Sequence, residues 1–294
     1  MWIPITLAAV LFQTARTAMQ HRLRSLLSVS GAGFVRYVYG APLSLAAVAL
    51  AAAGGAALPH PAARFWPIIA AAGVAQILGT VCLIRTFDAR DFAVGTVYAK
   101  TEVVQVALFS VVFLGEGLRL LGWIGAFVCL LGTALLVTKG RRLSKAAFTD
   151  RAALTGVAAG GLFGLAAVCI RAASKALGDH PPVVRAVVSL AVMNTIQTVL
   201  HGGYLMVREP GQITLAIRHW RSSSVVGILS VCGSACWALA LTLSNAAKVR
   251  TFGQIELLFT FAVAYFWLHE RHSREEYLAS ALVATGIVGV LVLG

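Results

Sequence analysis

The chain has 294 residues, 59% of them hydrophobic and only 12% charged, with a mean hydropathy of +0.84 and a formal net charge of +13. A soluble domain is about 25% charged, and a disordered chain is far less apolar, so both classes are excluded. Five cysteines in so long a chain do not make a disulfide scaffold. The remaining class is an all-α polytopic membrane protein.

A helix that crosses the hydrocarbon needs about 20 apolar residues. Apolar runs and breakers predict ten spans. The first five lie near 2–21, 30–53, 66–86, 92–114 and 119–138. The second five lie near 152–173, 183–206, 223–244, 250–268 and 277–293. Gly54-Gly55 and Pro59-His60-Pro61 part the second span from the third, and Asp179-His180-Pro181-Pro182 parts the sixth from the seventh. The expected organisation is a first five-helix half over 1–138, a basic connector over 139–151 and a second half over 152–294. The first span has no basic n-region or small-residue cleavage site, so it is read as a span and not a signal peptide.

The basic residues do not form one face of a folded domain. They cluster in short gaps, as in Lys139, Arg141, Arg142 and Lys145, where anionic lipid headgroups are their partners and no nucleic acid is expected. Odd-numbered loops carry most of them. Even-numbered loops carry fewer, among them Arg171, Lys175, Lys248 and Arg250. The positive-inside rule then places both termini outside.

Span one carries Gln13, Arg16, Thr17 and Gln20 at i, i+3, i+4 and i+7, a polar stripe that lipid does not tolerate. It reads either as a pocket wall, with Arg16 a donor to an anionic group, or as half of a structural pair with Glu102 or Glu256. Arg36 is a weaker candidate near the start of span two. Span four carries Tyr98, Lys100, Glu102 and Gln105. Glu102 is about ten residues into its span, so roughly 15 Å deep. Lys100 is two positions away, about 200° round a helix, and does not face Glu102. Tyr98, Glu102 and Gln105 share a face.

Span six has Gly156, Gly160 and Gly164 at spacings of four, a close-packing ridge. Span seven has Asn194, Gln197 and His201, read equally as internal hydrogen bonds or substrate contacts. Trp237 in span eight can stack on a ligand or fill the core. Glu256 in span nine is the second membrane-depth acid. Glu116 and Glu270 are read as interfacial groups that favour the start of the next helix. Cys82, Cys129, Cys169, Cys232 and Cys236 lie in apolar runs as packing residues.

The halves repeat. An offset of 154 pairs Tyr98 with Phe252, Glu102 with Glu256, Glu116 with Glu270 and Gly132 with Gly286. Five spans is an odd number, so the second copy enters from the opposite side, an inverted-topology repeat. Such folds bind substrate near the bilayer midplane. The expectation is a monomer with no metal and no cofactor: no Gly-Lys-Ser/Thr phosphate loop, His-Glu-x-x-His or Gly-x-Ser-x-Gly occurs.

The pattern resembles the EamA-type members of the drug/metabolite transporter superfamily. The residues that carry the resemblance are Leu114-Gly115-Glu116 and Leu268-His269-Glu270 at the ends of spans four and nine. The small-residue spans that follow them, Gly122-Trp123-Ile124-Gly125-Ala126 and Tyr277-Leu278-Ala279-Ser280-Ala281, belong to the same pattern. It covers essentially the whole chain. It departs from the family at His269, which replaces glycine, and in the charge of span four. The resemblance implies an inner-membrane carrier of a small metabolite working without ATP, with both termini cytoplasmic. Glu102 and Glu256 are then candidates for substrate binding or proton coupling. An intramembrane enzyme on a lipid-linked substrate, a structural membrane subunit and a multidrug cation exporter of the same fold are the alternatives. Three cations at depth (Arg16, Arg36, Lys100) against two carboxylates tilt the substrate toward a zwitterion or anion.

Overall fold

Each long apolar run forms a helix, because in hydrocarbon a helix alone satisfies every backbone N–H and C=O within one segment. The computed structural model describes residues 1–23, 26–89, 97–138, 151–259 and 273–294. Twelve helices of seven residues or more occur there. They are α1 (Trp2–Leu23), α2 (Val29–Val38), α3 (Gly40–Ala53), α4 (Phe65–Ala89), α5 (Glu102–Leu114) and α6 (Leu120–Thr138). After these come α7 (Arg151–Ala176), α8 (Pro182–Arg208), α9 (Gln212–Arg218), α10 (Trp220–Leu243), α11 (Ala246–Phe252) and α12 (Arg274–Leu293). No strand occurs among the described residues. Among the described residues, eight helical stretches are long and apolar enough to cross a membrane.

The helices group into two compact units, each drawn from both halves of the sequence. One is Met1–Ile77 with Cys169–Leu243, the other Leu78–Val168 with Ser244–Gly294. In the first unit α2 and α3 run antiparallel to α8. A Cβ on Gly33 would lie 3.5 Å from His201, and Phe34 packs on Gly202. Further along, Ser44 accepts from Asn194 Nδ2 at 3.4 Å. Rising numbers on one side thus meet falling numbers on the other. The second span is not one helix: α2 ends at Val38 and α3 begins at Gly40. Gly40 sits at the break because a Cβ there would come within 3.3 Å of Asn194 Nδ2 and Val231. The Tyr39 hydroxyl donates to Ala216 O at 3.2 Å. Ser28 caps α2 by accepting from Gly31 N at 3.0 Å, and its hydroxyl donates to Glu209 Oε2 at 2.5 Å. The short helix α9 lies where hydropathy alone predicts only a loop.

In the second unit α6 and α12 pack so closely that their glycines meet backbone. A Cβ on Gly125 would lie 2.8 Å from Val290 N, and one on Gly132 would lie 2.6 Å from Val283 N. A Cβ on Gly286 would fall on Cys129. This pair is also antiparallel. Lipid tails are as apolar as leucine, so such helices are held by close contact between small residues. The ridge on α7 does the same work against span four. A Cβ on Gly160 would lie 2.7 Å from Ala99 O, and one on Gly164 would lie 3.3 Å from Val106 N.

The four even-loop cations named from the sequence, Arg171, Lys175, Lys248 and Arg250, all lie within helices. Arg171 is on α7, and its Nη1 donates to Leu241 O at 2.7 Å, capping the end of α10. Arg250 is on α11.

Gly132→Val drives side-chain atoms into the α12 backbone and should cost about 1–3 kcal/mol. Gly203 has nothing within 4 Å of its would-be Cβ. Gly203→Ala should leave the melting temperature of the detergent-purified protein unchanged or slightly higher, while Gly132→Val lowers it.

Candidate functional site

Span four is interrupted where its functional residues begin. Residues 97–100 are helical, Thr101 is a turn, and α5 starts at Glu102. The Thr101 hydroxyl donates to Tyr98 O at 2.5 Å and accepts from Gln105 Nε2 at 2.8 Å. Gln105 Nε2 also donates to Val157 O of α7 at 3.1 Å. Gly160 makes this possible, since a Cβ there would lie 3.0 Å from Glu102 N. Span nine is interrupted at nearly the repeat-equivalent place. α11 ends at Phe252, Gly253 and Gln254 form a turn, and the helix resumes over 255–259. Tight bonds carry the turn: Gln254 N to Thr251 O at 3.0 Å and Leu257 N to Gln254 O at 3.0 Å.

The two interruptions bring opposite charges together. Arg250 Nε and Nη2 both donate to Glu102 Oε1. The side chains are 18% and 11% exposed, so water screens the pair little. Glu102 is also the first residue of α5, where the helix dipole favours an anion. From the sequence, Arg16 is one of two readings of a partner for Glu102; the structure pairs Glu102 with Arg250. Arg250 is reached because α11 begins at Ala246, four residues earlier than the predicted span. The sequence signal for that start is Asn245, whose side chain accepts from Ala247 N at 2.8 Å as an N-cap. Asn245 Nδ2 also donates to Glu116 O at 3.1 Å.

The remaining candidates divide by unit. In the second unit Tyr98 is buried beneath Gly156, and Gln105 is engaged by α7, so neither follows Glu102 toward α11. Lys100 and Glu256 are half-buried. In the first unit Trp237 Nε1 donates to Gln13 Oε1 at 3.1 Å. Arg16 is half-buried and Thr17 exposed, so the polar stripe of span one is only partly enclosed. In span seven Gln197 and Asn194 make bonds within the bundle, while Gln197 Oε1 and His201 Nδ1 have no partner among the described residues. Gln197 Nε2 donates to Gly73 O at 3.2 Å and to Gln76 Oε1 at 2.8 Å, and Asn194 holds Ser44. The Arg36 guanidinium lies 5.5 Å from the Tyr37 ring centroid. Glu270 and His269 lie outside the described residues.

The chain matches the EamA-like transporter family over residues 1–138 and again over 151–292. It is 34% identical over 73 residues to an uncharacterized transporter in the cobO 3′ region of a Sinorhizobium species. That stretch is 25% of this chain and 52% of the relative, so the chain spans about half the length of the relative it matches. A solved crystal structure aligns over 99% of this chain and 96% of its own, with a TM-score of 0.74 and 16% identity, and shows the fold. The chain belongs to the EamA-like transporter family and is an integral, multi-pass membrane protein.

Removing one partner of a buried pair strands the other charge, at a cost of about 3–5 kcal/mol. Glu102→Leu alone should sharply lower the yield and melting temperature of the folded protein. Adding Arg250→Met should restore both, whereas adding Arg16→Met should not. Size-exclusion profiles and thermal melts read the difference.

Proposed function

We propose that this EamA-like transporter is a secondary active carrier of a small polar metabolite, such as an amino acid or organic anion, across the bacterial inner membrane. It works by alternating access around a site at membrane depth, with the proton as coupling ion. The observation that carries the reading is the Glu102–Arg250 pair at two interrupted spans. Interrupted helices at membrane depth are tolerated where they serve a binding site, because their freed backbone groups and helix ends meet polar ligands. An ion pair there gives a polar substrate charged groups to bind.

The proposed architecture is ten spans in two inverted five-span halves. The eight apolar stretches, α1 and the run over 250–268 make up that number. Two pairs of repeat-related helices support the inversion. Spans two and seven pack antiparallel, as α2 and α3 against α8, and so do spans five and ten, as α6 against α12. Parallel halves would give each helix and its mate the same direction.

Purified protein in liposomes, with no ATP and no second protein, is the test. A panel of labelled amino acids, carboxylates, nucleobases and amines is offered for exchange. The expected result is saturable counterflow of at least one class. Absence of flux for every class, from protein that is folded by thermal melt, would overturn the reading.

A further inference from the structure

Arg250 uses its Nε and Nη2 on a single oxygen of Glu102. Those two nitrogens form the edge of a guanidinium that grips a carboxylate in planar fashion. Glu102 therefore occupies the edge of Arg250 that a carboxylate substrate would want. Nearby, Gln254 is 5% exposed and its Oε1 has no donor among the described residues, while its Nε2 donates to Arg250 O at 3.4 Å. Gln254 thus leaves a buried acceptor one helical turn from Arg250 that a bound polar group can satisfy.

We propose that Arg250 is the carboxylate receptor of this carrier, that Glu102 is the internal stand-in for substrate, and that each carboxylate bound drives one proton onto Glu102. The inference rests on the transporter reading and adds the substrate class and the stoichiometry. Charge balance dictates the step. Before binding, one guanidinium faces one carboxylate. When a substrate carboxylate takes the Arg250 edge, Glu102 would remain as a second anion against a single cation, which low-dielectric surroundings penalise. A proton from the aqueous side adds to a Glu102 oxygen and forms an O–H bond. The proton leaves hydronium, whose O–H bond breaks to give water, and net charge at the pair is zero before and after. The reverse step releases proton and substrate to the same side.

Among the described residues, several titratable groups lie on the elements of this pair. Arg250 and Lys248 stand on α11, and Cys129 on α6. Tyr98 and Lys100 precede Glu102 on its own chain, and Glu256 follows the turn in span nine. The ridge of α7 that packs on α5 contributes only glycines.

The test uses proteoliposomes with a trapped pH dye and labelled L-alanine, L-glutamate, L-lactate and succinate as probes, beside amines and nucleobases. In the wild-type protein, uptake of a carboxylate probe should acidify the lumen. Its apparent affinity should rise about tenfold for each unit the external pH falls, the slope of one linked proton. In Glu102→Gln, any carboxylate counterflow that folded protein retains should show neither acidification nor a pH slope. A second readout needs no variant. Adding the same probe to wild-type protein in weakly buffered detergent should take up one proton per site, reported by an indicator dye. Flux confined to amines or nucleobases would overturn the inference and leave the transporter reading standing. Carboxylate flux without proton uptake, or a pH slope that survives in Glu102→Gln, would overturn it as well. No flux of any probe would remove the transporter reading itself.

Discussion

A guanidinium that leaves water for the interior of a membrane protein must take a counter-charge with it, and the second unit is organised around that requirement. Arg250 stands a turn into α11 and has no aqueous shell to retreat to at 18% exposure. Glu102 meets it only because span four breaks at Thr101, which makes Glu102 the first residue of a new helix. The break is tolerated because the freed backbone is occupied by Thr101, Tyr98 and Gln105. The approach of α7 to that broken segment depends in turn on Gly160, where any side chain would collide with backbone. Charge pair, helix break and glycine ridge are one construction.

The same small-residue logic holds the rest of the described chain. Where water is absent, burying leucine gains little, and contact depends on how near two backbones can come. Gly125, Gly132 and Gly286 let α6 and α12 approach until glycine meets backbone N–H and C=O. Polar side chains act as short ties between helices: Gln197 to Gln76, Asn194 to Ser44, Trp237 to Gln13 and Thr86 to Thr155 at 2.9 Å. Each satisfies groups that lipid would leave unpaired. In span seven Asn194 and Gln197 each make such a tie.

Helices were legible in the sequence because hydropathy over about 20 residues is a strong signal. The glycine ridge of α7 was legible because a spacing of four is a helical face. Glu102 stood out because an acid at membrane depth is costly. The interruptions were not legible. The breaks at Tyr39 and Thr101 lie where residues far away in the chain pack closely, the Asn194 and Val231 side chains against Gly40 and α7 against Gln105. Arg250 was hidden by a boundary: hydropathy placed the span start at 250, whereas the Asn245 cap places it at Ala246. A charged residue at a supposed helix end reads as interfacial; moved a turn inward, it needs a partner.

The charge-swapped protein, Glu102→Arg with Arg250→Glu, measured for carboxylate counterflow in proteoliposomes, tests most directly whether the pair is a site or a brace. A brace needs one cation and one anion, with only about 0.3–1 kcal/mol of helix-dipole preference for the anion at position 102, whereas a site needs its cation at position 250. If Arg250 receives the substrate at its own position, the swapped protein folds, melts close to the wild type and shows no carboxylate counterflow. Counterflow at the wild-type rate in the swapped protein would contradict that assignment and leave the pair as architecture.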